Sequence, residues 1–130
     1  MMNQQEREQL YNTAWKHWGA EAQADQLIEE MSELIHALIA ARRNNTFYTY
    51  AVSEEIADVT ICLEQFEVRM RDFPTFDKPG IEVTGCIYDQ VERIKEAKLL
   101  RLQERLFQSM EEKHFPELTD VTIGTAGGNR

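Results

Sequence analysis

Apolar residues return every three or four positions through most of this chain, and that rhythm constrains its fold more than any other feature. A period near 3.6 gathers such residues on one side of an α-helix, which must then be buried against a neighbour. The pattern predicts four helices, at about 3–18, 22–43, 52–71 and 83–113. Gly19 is expected to end the first, and Asn44, Asn45 and Thr46 the second. The segment FPTFDKPG, with Pro74, Pro79 and Gly80, should make a true loop after the third. Ser53 followed by Glu54 and Glu55 reads as a helix start with acidic residues in its first turn. FYTYAV and TDVTI could pass locally for strands, but no credible set of strands exists. The expected fold is therefore an all-α helical bundle, one domain over 1–116. Its Gly-rich end, TIGTAGGNR, makes 117–130 an expected disordered tail.

Composition narrows the partners. A 130-residue chain that is 42% hydrophobic can build a core, alone or with a second copy. Its net charge of -9 argues against nucleic acid or an anionic membrane, both of which are held by positive surface, and suits divalent cations. Cys62 and Cys86 lie in apolar segments without CxxC or zinc spacing, which reads as reduced, buried thiols; a disulfide is the alternative. The start, MMNQQEREQL, has no apolar signal core, and no apolar run is of membrane-spanning length. The expectation is a cytoplasmic protein.

The acidic residues are not spread evenly around the helices. On a helical wheel Leu27, Ile28, Met31, Leu34, Ile35, Leu38 and Ile39 form one stripe, the expected core face. Glu29 falls opposite it, whereas Glu30 and Glu33 sit on its flank. On the next helix the stripe runs through Val52, Ile56, Val59, Cys62, Leu63, Phe66 and Met70. Glu55 falls inside it, Asp58 on its edge, and Glu54 and Glu64 point away. A charged carboxylate in an apolar stripe is costly unless paired, protonated or bound to a cation. Spacing of i and i+3 brings each pair within reach of a shared point, and hard oxygen ligands suit Mg²⁺ or Mn²⁺. Solvated glutamates, or a structural salt bridge to Glu55, are the plainer readings. On the last helix Ile87, Val91, Ile94, Leu102 and Leu106 mark an inner side that includes Lys98 and Arg105, with Arg101 on its edge. These basic groups either reach out to water or meet an anionic ligand.

EEMSE followed by EEIAD on consecutive helices resembles the E-x-x-E and E-x-x-D motif pair of the MazG-like, all-α nucleoside triphosphate pyrophosphatases, over roughly Trp15 to Arg71. The resemblance implies catalytic and metal-binding roles for Glu30, Glu33, Glu55 and Asp58. It also implies a Mg²⁺-dependent hydrolase that cleaves a triphosphate to a monophosphate and pyrophosphate, assembled as a homodimer or homotetramer. The later basic cluster would contact phosphates, which gives that role to Lys98, Arg101 and Arg105, although the arrangement in KLLRLQERL matches loosely. Trp15, Trp18, Phe47, Tyr48 and Tyr50 could stack on a base, with Trp18 a substrate-binding candidate; core or interface packing is the alternative. Ala57, Ile61 and Val68 form a second apolar strip on the third helix, which would need a second neighbour, expected from another copy.

Two rivals come from other classes. ELIH and EEKH place Glu33 with His36 and Glu111 with His114, as in ferritin-like di-iron bundles, but His36 falls opposite the core stripe. The other rival is a non-enzymatic helical dimerisation module, in which Glu55 is only a buried charge. No GxxxxGK[ST] loop and no His-Asp dipeptide is present.

Overall fold

A computed structural model of the protein describes residues 1–72 and 85–114. They form three helices, α1 (Gln4–Arg43), α2 (Tyr50–Met70) and α3 (Ile87–His114), with no strand among the described residues. The expected FPTFDKPG loop, the expected helix start at 83 and the tail at 117–130 lie outside them.

The first two predicted helices are one element with a break in it. Gly19 alone leaves helical geometry, at φ 86° and ψ 165°, and the helix resumes at once. Glycine carries that left-handed φ without a Cβ penalty, so the residue expected to end a helix instead divides α1 into limbs 4–18 and 20–43. The first limb opens with a full capping box. Asn3 Oδ1 accepts the Glu6 backbone N–H (2.9 Å), and the Glu6 carboxylate accepts that of Asn3 (2.7 Å). The second limb closes at Asn44, with Asn45 in the left-handed region (φ 55°) and Thr46 N–H returning to Ala41 O at 3.0 Å.

α2 starts one turn before the expected Ser53. Thr49 is the cap: its hydroxyl oxygen accepts the Val52 N–H at 3.2 Å, and Ser53 Oγ donates back to the Thr49 carbonyl. Glu55 thus falls in the second turn, beyond the reach of the helix N-terminus. α3 begins behind Gly85 (φ 111°), with the Asp89 carboxylate accepting the Cys86 N–H at 2.9 Å.

Contacts divide the chain into two units, Met1–Gln90 and Val91–Arg130. In the first, α1 and α2 form an antiparallel hairpin. The side of limb 20–43 that is withdrawn from solvent runs Gln23, Leu27, Glu30, Leu34, Ala37 and Ala41, a 4-3-4-3-4 spacing; on α2 it runs Val52, Glu55, Val59, Cys62 and Phe66. This corrects the wheel reading in one respect. Ile28, Met31, Ile35 and Ile39 were expected in the core, yet they stay exposed, and so do Ile56 and Leu63. The apolar arc on limb 20–43 is wider than one neighbour can cover, and α2 packs at its polar edge, through Glu30. No large side chain among the described residues is fully buried.

Limb 4–18 packs along the later half of α2, against Phe66 and on the side that carries Glu64. Tyr11, 8% exposed, donates its hydroxyl to Glu64 Oε2 at 2.5 Å, and Trp15 meets Phe66 edge to face with ring centroids 4.9 Å apart. Arg71 donates to Glu8 at 2.9 Å and lies 5.1 Å from the centre of the Tyr88 ring. Glu64 therefore does not point away into water, and half-buried Val68, one turn on, lines the same cleft as Tyr11. The second neighbour expected from another copy is, at this end of α2, the chain's own first limb. Ala57 and Ile61, nearer the start of α2, remain exposed.

In the second unit α3 is exposed along most of its length, including Ile94, Leu99, Leu102 and Leu106. No helix among the described residues is long and apolar enough to cross a membrane.

Candidate metal centre

Glu30 on limb 20–43 and Glu55 and Asp58 on α2 converge at the middle of the hairpin. One carboxylate oxygen from each lies within 4.8 Å of the other two, and all three side chains are half-buried. The geometry follows from the pairing: Glu30 and Glu55 occupy packed positions of facing helices, and Asp58 follows Glu55 by one turn. With a Mg–O distance of about 2.1 Å, oxygens on one ion lie about 3.0 Å apart when cis and about 4.2 Å apart when trans, so these three would close in by side-chain rotation to share an ion.

Burial, followed by the nearby charges of Glu33, Asp58, Glu30 and Glu54, pushes the Glu55 carboxyl above its ordinary range. Its Oε2 is shut off from solvent and has no hydrogen-bond partner among the described residues. A divalent ion among these carboxylates would oppose that shift, because it favours the charged form. Glu30 is steadied by a hydrogen bond from the Gln26 side-chain amide one turn back. Cys62, a free buried thiol one turn beyond Asp58, is raised by burial and by Glu30 and Asp58. The donor set of three carboxylates is hard and anionic, which fits Mg²⁺ or Mn²⁺ and disfavours soft metals.

The other expected site residues are placed as follows. Glu33 is exposed and is not part of the three-oxygen cluster, although its charge reaches Glu55. Lys98, Arg101 and Arg105 are exposed on α3; Lys98 and Arg105 line a shallow apolar cleft of about 550 Å³ with Val91, Ile94, Leu99 and Leu102. Their placement there is a basic rim on an uncovered apolar face, not an inner side. Trp18 is 63% exposed, with its ring edge-on to His17 at 5.3 Å. Tyr48 and Tyr50 are also exposed, whereas Trp15 is engaged by Phe66 and by Arg69, whose guanidinium is 5.9 Å from its ring centre. His36 is exposed, with Nδ1 3.1 Å from the Ser32 carbonyl, and does not join the carboxylates. Cys86 is a free, half-buried thiol, 3.2 Å from Asp89, and not the buried one expected.

Three polar residues that the wheels passed over sit in the packed region: Gln23, which is 7% exposed, Gln65, whose Oε1 is enclosed without a partner among the described residues, and Arg69. Gln23 had a readable signal, since it stands seven residues, about two turns, before Glu30 on the 4-3-4-3 face. No family model, curated protein or solved structure matches the chain.

Proposed function

We propose that the protein is a metal-dependent nucleoside triphosphate pyrophosphohydrolase of the MazG-like type, cleaving a (d)NTP to a (d)NMP and pyrophosphate. The observation that carries this reading is the meeting of Glu30, Glu55 and Asp58, from two helices, within 4.8 Å in a half-buried seam. It is joined by the resemblance of EEMSE and EEIAD to the paired family motifs.

In this reading Glu30, Glu55 and Asp58 would hold the cation, and Glu33, exposed beside them, would add negative charge or a ligand through water. Mg²⁺, or Mn²⁺, supplies charge neutralisation of the triphosphate and polarisation at phosphorus. Glu55, whose Oε2 has no hydrogen-bond partner among the described residues, would orient the attacking water and take its proton. The bond from the water oxygen to the α-phosphorus forms as the bond to the bridging oxygen of the β-phosphate breaks, and pyrophosphate leaves with that oxygen. Lys98, Arg101 and Arg105 are proposed for the outer phosphates, and Trp18 for the base. The exposed stripe of Ile28, Met31, Ile35 and Ile39 supports a homo-oligomer, because a monomer rarely leaves so continuous an apolar face in water.

The test is pyrophosphate release across natural and modified (d)NTPs with Mg²⁺ or Mn²⁺. Activity on at least one substrate, abolished by Glu30→Gln and by Glu55→Gln, is expected. Silence on every triphosphate, or activity that survives both substitutions, would refute the assignment. Substitution of Lys98, Arg101 or Arg105 by Ala should raise KM for the triphosphate if that residue holds phosphate.

A further inference from the structure

The hairpin of limb 20–43 and α2 has two unlike faces. On the helical wheel the stripe of Ile28, Met31, Ile35, Leu38 and Ile39 lies ahead of the packed positions of its limb, and Ile56 and Leu63 lie ahead of those of α2. Because both helices are right-handed and run antiparallel, the two sets emerge on one face of the hairpin. Glu33 and Asp58 lie behind the packed positions and emerge on the other. The apolar face is open to water, its seven large side chains being between 37% and 66% exposed. At roughly 600 Å² per copy, it approaches the ~800 Å² per partner of a stable interface before any polar rim is added.

The charges at its rim select what fits it. Glu21 stands at one end of the stripe and Arg42 at the other, about three turns either side of the middle. Both are exposed, and neither has an ion pair among the described residues. Ile28 and Ile35, Ala24 and Ile39, and Glu21 and Arg42 all share one midpoint, between Met31 and Ser32. A second limb 20–43 laid antiparallel about that midpoint sets Ile28 on the partner's Ile35 and Ile39 on the small side chain of the partner's Ala24. It also sets Glu21 beside the partner's Arg42, and the two-fold axis repeats each contact. A parallel copy would bring glutamate to glutamate and arginine to arginine, which repel.

We infer that this apolar face is the seam of an isologous homodimer, in which limb 20–43 packs antiparallel against its own copy with the two-fold axis at Met31 and Ser32. The inference gives a definite form to the homo-oligomer of the proposed function, yet it stands on this surface alone and does not need the hydrolase reading to hold. Glu33 and Asp58 emerge on the far face, so the seam leaves the carboxylates of each copy accessible.

The experiment uses the full chain with Cys86→Ser, which leaves buried Cys62 as the one native thiol. Met31→Cys and Ile39→Cys are added separately, and each protein is treated with a mild thiol oxidant. Facing Cα atoms of helices packed about 8–10 Å apart lie about 5 Å from each other, within disulfide reach. The antiparallel register places Met31 there and holds Ile39 about 22 Å along the axis from its copy. Non-reducing electrophoresis should therefore show a covalent dimer from Met31→Cys, and none above the Cys86→Ser background from Ile39→Cys. Light scattering of the wild type should give an even multiple of the chain mass. Glu21→Arg or Arg42→Glu alone should raise the dimer dissociation constant by about threefold or more, and the double variant should restore it. These two positions are exposed, so they test the register even where a cysteine variant does not fold. A covalent dimer from Ile39→Cys, a cross-link from neither variant, a monomer mass, or charge swaps that fail to compensate would each overturn the inference. None of these readouts involves pyrophosphate release, by which the hydrolase reading stands or falls separately.

Discussion

Replacing Tyr11 by Phe isolates the contact that ties limb 4–18 to α2. The ring is 8% exposed and stays in place, so packing is conserved and only the hydroxyl is lost, together with its 2.5 Å bond to Glu64. A hydrogen bond to a charged group contributes about 1.5–3 kcal/mol. Glu64 is only half-buried, and water can replace part of what the tyrosine supplied, so the net loss should be about 1–1.5 kcal/mol. For a unit the size of Met1–Gln90, that corresponds to a fall in Tm of roughly 4–12 °C. Urea unfolding followed by circular dichroism, in a cycle with Glu64→Gln, should give a coupling energy of about 1 kcal/mol. The contact also carries a pH signature. Burial, then the bond to Glu64, pushes the Tyr11 hydroxyl up from 10 to about 12. A folded-state value above the unfolded one means that this stabilisation is complete below pH 10 and is lost as pH rises from 10 through about 12. The gap between wild type and Tyr11→Phe should therefore be flat from pH 7 to near 10 and narrow above it. A coupling energy within about 0.5 kcal/mol of zero, the usual limit of additivity, would refute the reasoning.

Three further substitutions have expected outcomes. Without metal, Glu55→Gln should raise stability at neutral pH, since it removes a charge that its surroundings disfavour; Mg²⁺ should raise the Tm of the wild type and leave the variant unmoved, as read by differential scanning calorimetry. The raised Glu55 carboxyl also means that the metal-free wild type gains stability as pH falls from neutral through its folded-state value, a gain absent from Glu55→Gln. Gly19→Ala should destabilise by about 1–3 kcal/mol, because φ 86° with ψ 165° excludes a Cβ on backbone grounds although the space around it is open; unchanged urea unfolding would show that the break in α1 relaxes freely. Ile35→Glu should shift the protein to a smaller species in light scattering if the exposed stripe joins copies, and an identical mass would exclude that face as an interface.

The helices themselves were legible in the sequence, because 3.6-residue periodicity and end signals are local: Gly19, the Asn44–Asn45 stop and the long runs around them all mark real features of the backbone. Glu30, Glu55 and Asp58 could be singled out for the same reason, as carboxylates at positions that a wheel places in or beside an apolar stripe. Which part of a stripe is covered is not local. Limb 20–43 has an apolar arc broad enough for two neighbours, and its sequence alone cannot say that α2 takes the edge containing Glu30 while Ile28 and Ile35 stay in water. The pairing partner of Glu64 was equally invisible, since Tyr11 is 53 residues away and reaches it only after the chain bends at Gly19. Helix type and the candidate acids were therefore determined by neighbours in the sequence. The meeting of three oxygens, the exclusion of Glu33 and the enclosed amide of Gln65 were decided by how two helices pack, a choice made by contacts across tens of residues.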